Sequence, residues 1–363
     1  MLYVTAESLA EGAAAHVHVT EIQSGLIRRG WQTQLLAPAY GRHETRPGVF
    51  RRLSAIAAVN WRAWKKLDHV DALYCRSNPL LFPIAWLARR RGIAVVQECN
   101  GPYADIGIAH PNMRAFFGMF VALQRWQYRT ADAVVAVTAN LKRWLEGERG
   151  RHDVALISNA ANTELFSPDV PAERVTKNTY VVFFGALAVW HGARMMLEAI
   201  EHPDWPENVD LLIIGAGADS PLVEDAAAAN SRILYIGRQP YKRVPGLIVG
   251  ALAGLVPIVD VSGRASTGLA PLKLFETLAA GLPVIATDYP TQAEFVRDNA
   301  CGIVVPPDDA AALARAVAEL ARDRAAAKAM GRRGHDAVAR AHSWDHRAGE
   351  VDALLRALVT PKE

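Results

Sequence analysis

The strongest constraint on this chain is a rhythm of short aliphatic runs, each followed by a helical pattern. Six come early: LYVT (2–5), QTQLLA (32–37), DALYC (71–75), AVVQE (94–98), AVVAVT (133–138) and VALIS (154–158). Six more follow: TYVVFFG (179–185), DLLIIGAG (210–217), RILYIG (232–237), LVPIVDV (255–261), PVIAT (283–287) and GIVVP (302–306). They do not alternate in polarity. Strands covered on both faces read this way, so the sheets should be parallel with helices on either side. Between the two series lies NAANTELFSPDVPAERVTKNT (159–179), rich in Pro, Asn and Thr, which reads as a linker. The expectation is an α/β chain with two doubly wound parallel-sheet domains of similar size.

Composition trims the function classes. A length of 363 residues suits two domains, and 51% hydrophobic residues can build a core in each. A net charge of +3 is too small to argue for nucleic acid over the whole surface. Cys75, Cys99 and Cys301 are far apart with no CxxC spacing, which points to a reduced compartment and away from zinc. MLYVTAES runs straight into a strand, so no signal peptide is expected. The longest apolar run, Leu247 to Val259, is short of the ~20 residues a membrane helix needs. A cytoplasmic protein is expected.

In open parallel sheets, ligands bind outside the carboxyl ends of the strands. One stretch there stands out, ASTGLAPLKLFETLAAGLPVIATDYP (265–290). A glycine-containing loop leads to Pro271, which suits a helix start, and Gly281 suits its end. The N–H groups of Leu269, Ala270, Pro271's successor Leu272 and the positive helix end would favour a phosphate. Lys273 and Glu276 are three apart and share a helix face, while Leu274, Phe275 and Leu278 take the other. Lys273 and Glu276 are therefore expected at the wet edge of the sheet, where a lysine can meet phosphate and a carboxylate can accept two ribose hydroxyls. The competing reading is a solvated Lys–Glu pair worth ~0.2–0.5 kcal/mol.

The stretch STGLAPLKLFETLAAGLPVIATDYP resembles the signature of the retaining glycosyltransferases of family 4 (glycosyl transferases group 1). FFGALAVWHGARMMLEA (183–199), RILYIGRQPYKRVPGLI (232–248), ISNAANTELFSP (157–168) and HSWDHRAGEV (342–351) resemble other family segments in the same order. The resemblance implies the GT-B fold: two Rossmann-like domains facing across a cleft, with a C-terminal helix crossing back. It implies an acceptor domain over 1–163, joined by the helix 345–363, and a donor domain over 164–344. It implies transfer of a sugar from a nucleotide-diphosphate sugar, UDP- or GDP-linked, to a hydroxyl of a glycan, lipid-linked or small-molecule acceptor, with retention. No metal or other cofactor is implied, nor any nucleic acid partner.

The family places a ribose-binding glutamate where Glu276 stands, and an earlier glutamate where this chain has Gly268. That departure matches a PLKLFE branch of the family. It keeps open a different sugar-nucleotide enzyme, an epimerase or inverting transferase, or a binding protein without turnover. Many members carry an Arg and a Lys in the loop after the strand ending at Gly185; here that loop is ALAVWHG. Lys273 and Arg264, then Arg238, are the substitutes expected at the diphosphate. The family's cleft-lining loop corresponds to Gly12 and Ala13. His16 is a candidate to reach the acceptor, with packing or capping expected for His18. QECNGPYADIG (97–107) stands where many members present a catalytic-region histidine. Asn100 and Glu98 are the candidates there, with His110 further on; the competing reading is a turn-forming Asn and a strand-end Glu.

VFRRLSAIAAVNWRAWKKLDHVD (49–71) mixes Arg51, Arg52, Arg62, Lys65 and Lys66 with Trp61 and Trp64. It reads either as an interfacial helix contacting anionic membrane, which would suit a lipid-linked acceptor at the inner face, or as an ordinary helix covering the sheet.

Overall fold

The computed structural model describes residues 1–39, 48–103, 115–261 and 263–359. The chain forms two compact units. The first is Met1–Ala10, Ala15–Ser158 and Asp345–Glu363; the second is Glu11–Ala14 and Asn159–Trp344.

In the first unit the six early runs become β1 (Leu2–Val4), β2 (Gln34–Leu36), β3 (Ala72–Arg76), β4 (Ala94–Cys99), β5 (Ala133–Ala136) and β6 (Val154–Leu156). They form one parallel sheet in the order β2-β1-β3-β4-β5-β6. Leu2, Val4, Leu73, Cys75, Val95 and Val134 pack on one face against Ile56, Val59 and Ala63 of the basic segment, which is a helix over Val49–Trp64. The last helix, Trp344–Val359, closes against Ala14–Arg28. Gly25 makes that approach possible: a Cβ there would lie 2.3 Å from Ala348 Cβ. Arg29 adds a two-pronged bond to the Asp345 carboxylate, 2.9 Å at each end.

In the second unit the later runs become β7 (Thr179–Phe184), β8 (Val209–Ile214), β9 (Ile233–Tyr235), β10 (Gly254–Val256), β11 (Val284–Thr287) and β12 (Gly302–Val305). This parallel sheet has the order β12-β11-β10-β7-β8-β9. Its two faces carry separate cores. Phe166, Phe184, Leu274, Phe275 and Leu278 anchor one; Phe183, Met196, Trp205 and Leu313 anchor the other. Among the described residues no helix is long and apolar enough to cross a membrane.

Candidate functional site

Strand order locates the crevice in each unit. In the second sheet the chain leaves β7 for β8 and β9 on one side, then returns to β10, β11 and β12 on the other. The crossovers after β7 and β10 therefore diverge, leaving a crevice beyond their carboxyl ends. Gly185 follows β7 with φ +124°, and Gly215 follows β8 with φ +141°. A Cβ on Gly215 would stand 1.8 Å from the Gly185 carbonyl oxygen, so the loops approach only because Gly215 lacks one.

Lys273 reaches this place from the first turn of the helix Leu272–Ala279. Its side chain lies along Gly185, with Cε and Nζ each 3.4 Å from where a Cβ would sit. Its Nζ is 3.8 Å from the centroid of the Phe183 ring. The residue is 6% exposed, and among the described residues Nζ has no hydrogen-bond partner. Burial brings its pKa down to about 7, against the pull of the Glu276 carboxylate in the other direction. A cation over a ring face is favourable, but a ring supplies no acceptor for three N–H donors.

Glu276 lies one turn further along and is 4% exposed. Its Oε1 accepts a hydrogen bond from the Tyr241 hydroxyl at 2.6 Å. The Tyr241 ring is tilted on Phe166, with centroids 5.5 Å apart. The expectation of a wet helix face is thus corrected. Lys273 and Glu276 do share a face opposite the core-facing Leu274, Phe275 and Leu278, but Phe183, Gly185 and Tyr241 close over it.

The other donor-side candidates divide. Gly185 meets Lys273 directly. The Leu269 N–H is bonded to the Pro290 carbonyl at 3.0 Å and that of Gly268 to Ala265 at 3.0 Å, so neither amide is available to a phosphate as expected. The Ala270 carbonyl accepts from the Asn159 amide at 2.7 Å. Leu272 is the first helical residue, where an amide lacks an intrahelical acceptor. The Arg264 backbone lies in the short turn Arg264–Thr267, and its side chain lies outside the described atoms. Arg238 is exposed beyond β9. That edge strand is two places from β7, about 10 Å at the usual strand spacing. A cavity of about 500 Å³ lined by Lys177, Thr179, Gly281, Pro283 and Arg324 opens at the amino ends of β7 and β11, the opposite edge from Lys273.

The switch in the first sheet falls between β1 and β3. Register sets Tyr3 beside Tyr74 and Arg76 beside Glu98. Glu98 is 1% exposed. It accepts from Tyr74 and Arg76 at 2.8 Å, from His18 Nε2 at 2.9 Å, from Asn100 at 2.8 Å, and weakly from Tyr3 at 3.5 Å. Burial alone would raise its pKa; His18, Arg76 and Asn100 outweigh it and hold the carboxyl well below the usual range. Glu98 was expected to approach the sugar or acceptor. With five donors around a carboxylate that has about four lone-pair sites, it is instead a buried anchor for the sheet end. Asn100, half-buried, commits its amide nitrogen to that anchor, which leaves its carbonyl oxygen as the end it can offer. His18, expected to pack or cap, is Glu98's partner. His16, two residues earlier, has a buried Nδ1 with no partner among the described residues. Gly12 has φ +76° ahead of the helix Ala14–Arg28, with Ala13 between. His110 lies outside the described residues.

Sequence reasoning missed Tyr241, Tyr3, Tyr74 and Arg76. The available signal was a tyrosine or arginine inside otherwise aliphatic strands, and a tyrosine just past the β9 loop.

Comparison with known proteins follows the same division. Residues 15–165 match the sequence family described as Glycosyltransferase Family 4, and residues 178–323 match Glycosyl transferases group 1. The phosphatidyl-myo-inositol mannosyltransferase of Mycobacterium leprae is 27% identical over 363 residues, covering 94% of this chain and 92% of the relative. An exopolysaccharide phosphotransferase of Streptomyces coelicolor is 27% identical over 289 residues; the match covers 77% of this chain and 28% of that longer relative. Among solved structures, sucrose-phosphate synthase of Thermosynechococcus elongatus superposes with a TM-score of 0.79 over 98% of both chains at 16% identity, which speaks to fold alone.

Proposed function

This chain belongs to glycosyltransferase family 4, with the GT-B fold, and from that premise we propose that it moves a sugar from a nucleoside-diphosphate sugar to a hydroxyl, with retention at the anomeric carbon. The observation that carries the donor site is Lys273: a buried cation with no hydrogen-bond partner among the described residues, set at the switch point of the second sheet. A diphosphate supplies the acceptors its ammonium lacks. As the sugar–oxygen bond breaks, negative charge grows on the leaving diphosphate, and a fixed cation in a low-dielectric site stabilises it there. The Leu272 amide and the helix start add to the same field. Glu276 takes the ribose hydroxyls, and the segment after Gly237 meets the base. No metal enters this scheme, because Lys273 and the helix end meet the charge. Asn100 and His16 are proposed on the acceptor side.

The acceptor is proposed to be glycan- or lipid-linked. Support comes from the helix Val49–Trp64, which buries Ile56, Val59 and Ala63 but leaves Phe50 89% and Trp61 53% exposed, beside Lys65 and Lys66. Exposed aromatics among lysines suit the headgroup layer of an anionic membrane. That would place the protein peripherally at the inner face.

The test is catalytic and stereochemical. Purified protein is given UDP- and GDP-sugars with an acceptor extract; nucleoside diphosphate release is measured, and the anomeric configuration of product is read by NMR. Glu276→Ala should weaken nucleotide binding by roughly 10- to 150-fold, the loss of a charge-assisted contact of ~1.5–3 kcal/mol. Inversion in the product would remove the retaining assignment, and unchanged affinity in a folded Glu276→Ala protein would remove the donor site from this helix.

A further inference from the structure

We propose that Tyr241 is a positioning residue for Glu276, and that through it the site selects nucleotides whose ribose carries both hydroxyls. The proposal rests on the reading of Glu276 as the ribose carboxylate.

Three observations carry it. The Tyr241 hydroxyl donates to Glu276 Oε1 at 2.6 Å, a short bond of the kind formed when the acceptor is ionised. A glutamate side chain has three rotatable torsions, and pinning one oxygen restricts the orientations open to the carboxylate. Tyr241 is itself held. Its ring is tilted on Phe166, which is fully buried and stacks on Phe184 at the end of β7. Its backbone stands in the turn Tyr241–Arg243, entered through Pro240 and continued by the helix Val244–Ile248. Arg243, at the end of that turn, pairs with Glu173 at 2.8 Å. Finally, Tyr241 follows β9 whereas Glu276 follows β10, so this one hydrogen bond ties the segment after Gly237 to the ribose helix.

The consequence for recognition is geometric. A carboxylate so restricted can present its oxygens to two adjacent hydroxyls at once, and restricting it before the ligand arrives removes that ordering from the cost of binding. A carboxylate held less firmly accepts from a single hydroxyl more nearly as well as from a pair. The tyrosine should therefore raise affinity for the ribonucleotide and leave the 2′-deoxyribonucleotide much less affected. A tyrosine that merely packed the loop would affect both alike.

The experiment is calorimetric titration of wild type, Tyr241→Phe and Glu276→Ala with UDP and 2′-deoxy-UDP, and with GDP and 2′-deoxy-GDP, alongside melting curves. Tyr241→Phe keeps the ring on Phe166, so the fold should survive. The expected result is an about tenfold weaker ribonucleotide affinity in Tyr241→Phe, a 2′-deoxynucleotide affinity within about twofold of wild type, and so a collapsed ratio between the two. A wild-type ratio in Tyr241→Phe overturns the proposal, as does tighter ribonucleotide binding, which would mean the hydroxyl occupies the ribose's place. Unchanged ribonucleotide affinity in Glu276→Ala would overturn the ribose reading itself, and this proposal with it. A failure confined to Tyr241→Phe is thereby told apart from a failure of the donor site.

Discussion

A lysine buried with no hydrogen-bond acceptor among the described residues should leave a proton signature on nucleotide binding. With its pKa brought down to about 7, roughly one Lys273 in ten is protonated at pH 8 in the empty site. A bound diphosphate favours the charged form and pulls the pKa back up. Binding at pH 8 should then take up about 0.9 proton per nucleotide, and at pH 7 about 0.5. Above pH 7 the terminal phosphate, whose second pKa is near 6, is already ionised. Affinity should therefore fall about tenfold, or about 1.4 kcal/mol, for each pH unit above 7 until the pKa of the occupied state is reached. Stability of the empty protein carries the opposite sign. The folded pKa lies below the ordinary 10.5, so between about pH 7 and pH 10 the unfolded chain binds more protons, and stability from this group rises with pH. The assay is titration calorimetry at pH 8 in two buffers of different ionisation heat; the difference in apparent enthalpy counts protons. Lys273→Met should abolish the uptake, weaken binding, and melt at or above wild type, since a buried amine with no hydrogen-bond partner among the described residues has been replaced by an apolar side chain of similar length. Wild-type uptake near zero at pH 8, or equal uptake in Lys273→Met, would mean that Lys273 is not the group charged on binding.

Two other expectations concern the first unit. Protein pelleted with anionic vesicles should be released by salt, because exposed charges are screened within ~8–10 Å at physiological ionic strength; Lys65→Ala with Lys66→Ala should lower the bound fraction, and equal binding to neutral vesicles would remove the electrostatic part of the reading. Glu98→Ala removes the carboxylate shared by His18, Tyr74 and Arg76 and leaves Glu7 as the other anionic partner of Arg76; it should cost up to about 3–5 kcal/mol, read as a drop in melting temperature, while nucleotide affinity of the folded fraction stays at wild type, and an unchanged melting curve would deny Glu98 its anchoring role.

The strand framework could be read before the structure because its cause is local. Strands covered on both faces must be apolar at consecutive positions, and all twelve such runs became strands. Their ends differ from the reading by one to a few residues because pairing, not composition, sets where a ladder stops. DALYC continues to Arg76, which pairs with Glu98 across the sheet. LVPIVDV stops pairing at Val256.

The site was half legible, and what decided each residue was whether its role depends on one element or on two. Lys273 and Glu276 sit three apart on one helix, so their shared face follows from helical geometry alone. Their burial does not. It depends on Phe183 of β7, on Gly185 just after it and on Tyr241 beyond β9, which strand order, not chain order, brings to the same place. Glu98 shows the same limit from the other side. A glutamate ending a buried strand, followed by Asn-Gly-Pro, looks like a group poised at a ligand edge. Counting its donors requires knowing that β1 and β3 set Tyr3 beside Tyr74 and that the helix Ala14–Arg28 lowers His18 onto the same carboxylate. Once those donors are counted, the chemistry beyond β4 shifts by one step. A satisfied carboxylate accepts the Asn100 amide nitrogen and cannot accept its carbonyl, so the asparagine's orientation is set by charge. On the proposed acceptor side Asn100 would therefore offer an uncharged carbonyl oxygen, and the acid–base work of a titratable side chain is not expected from that position.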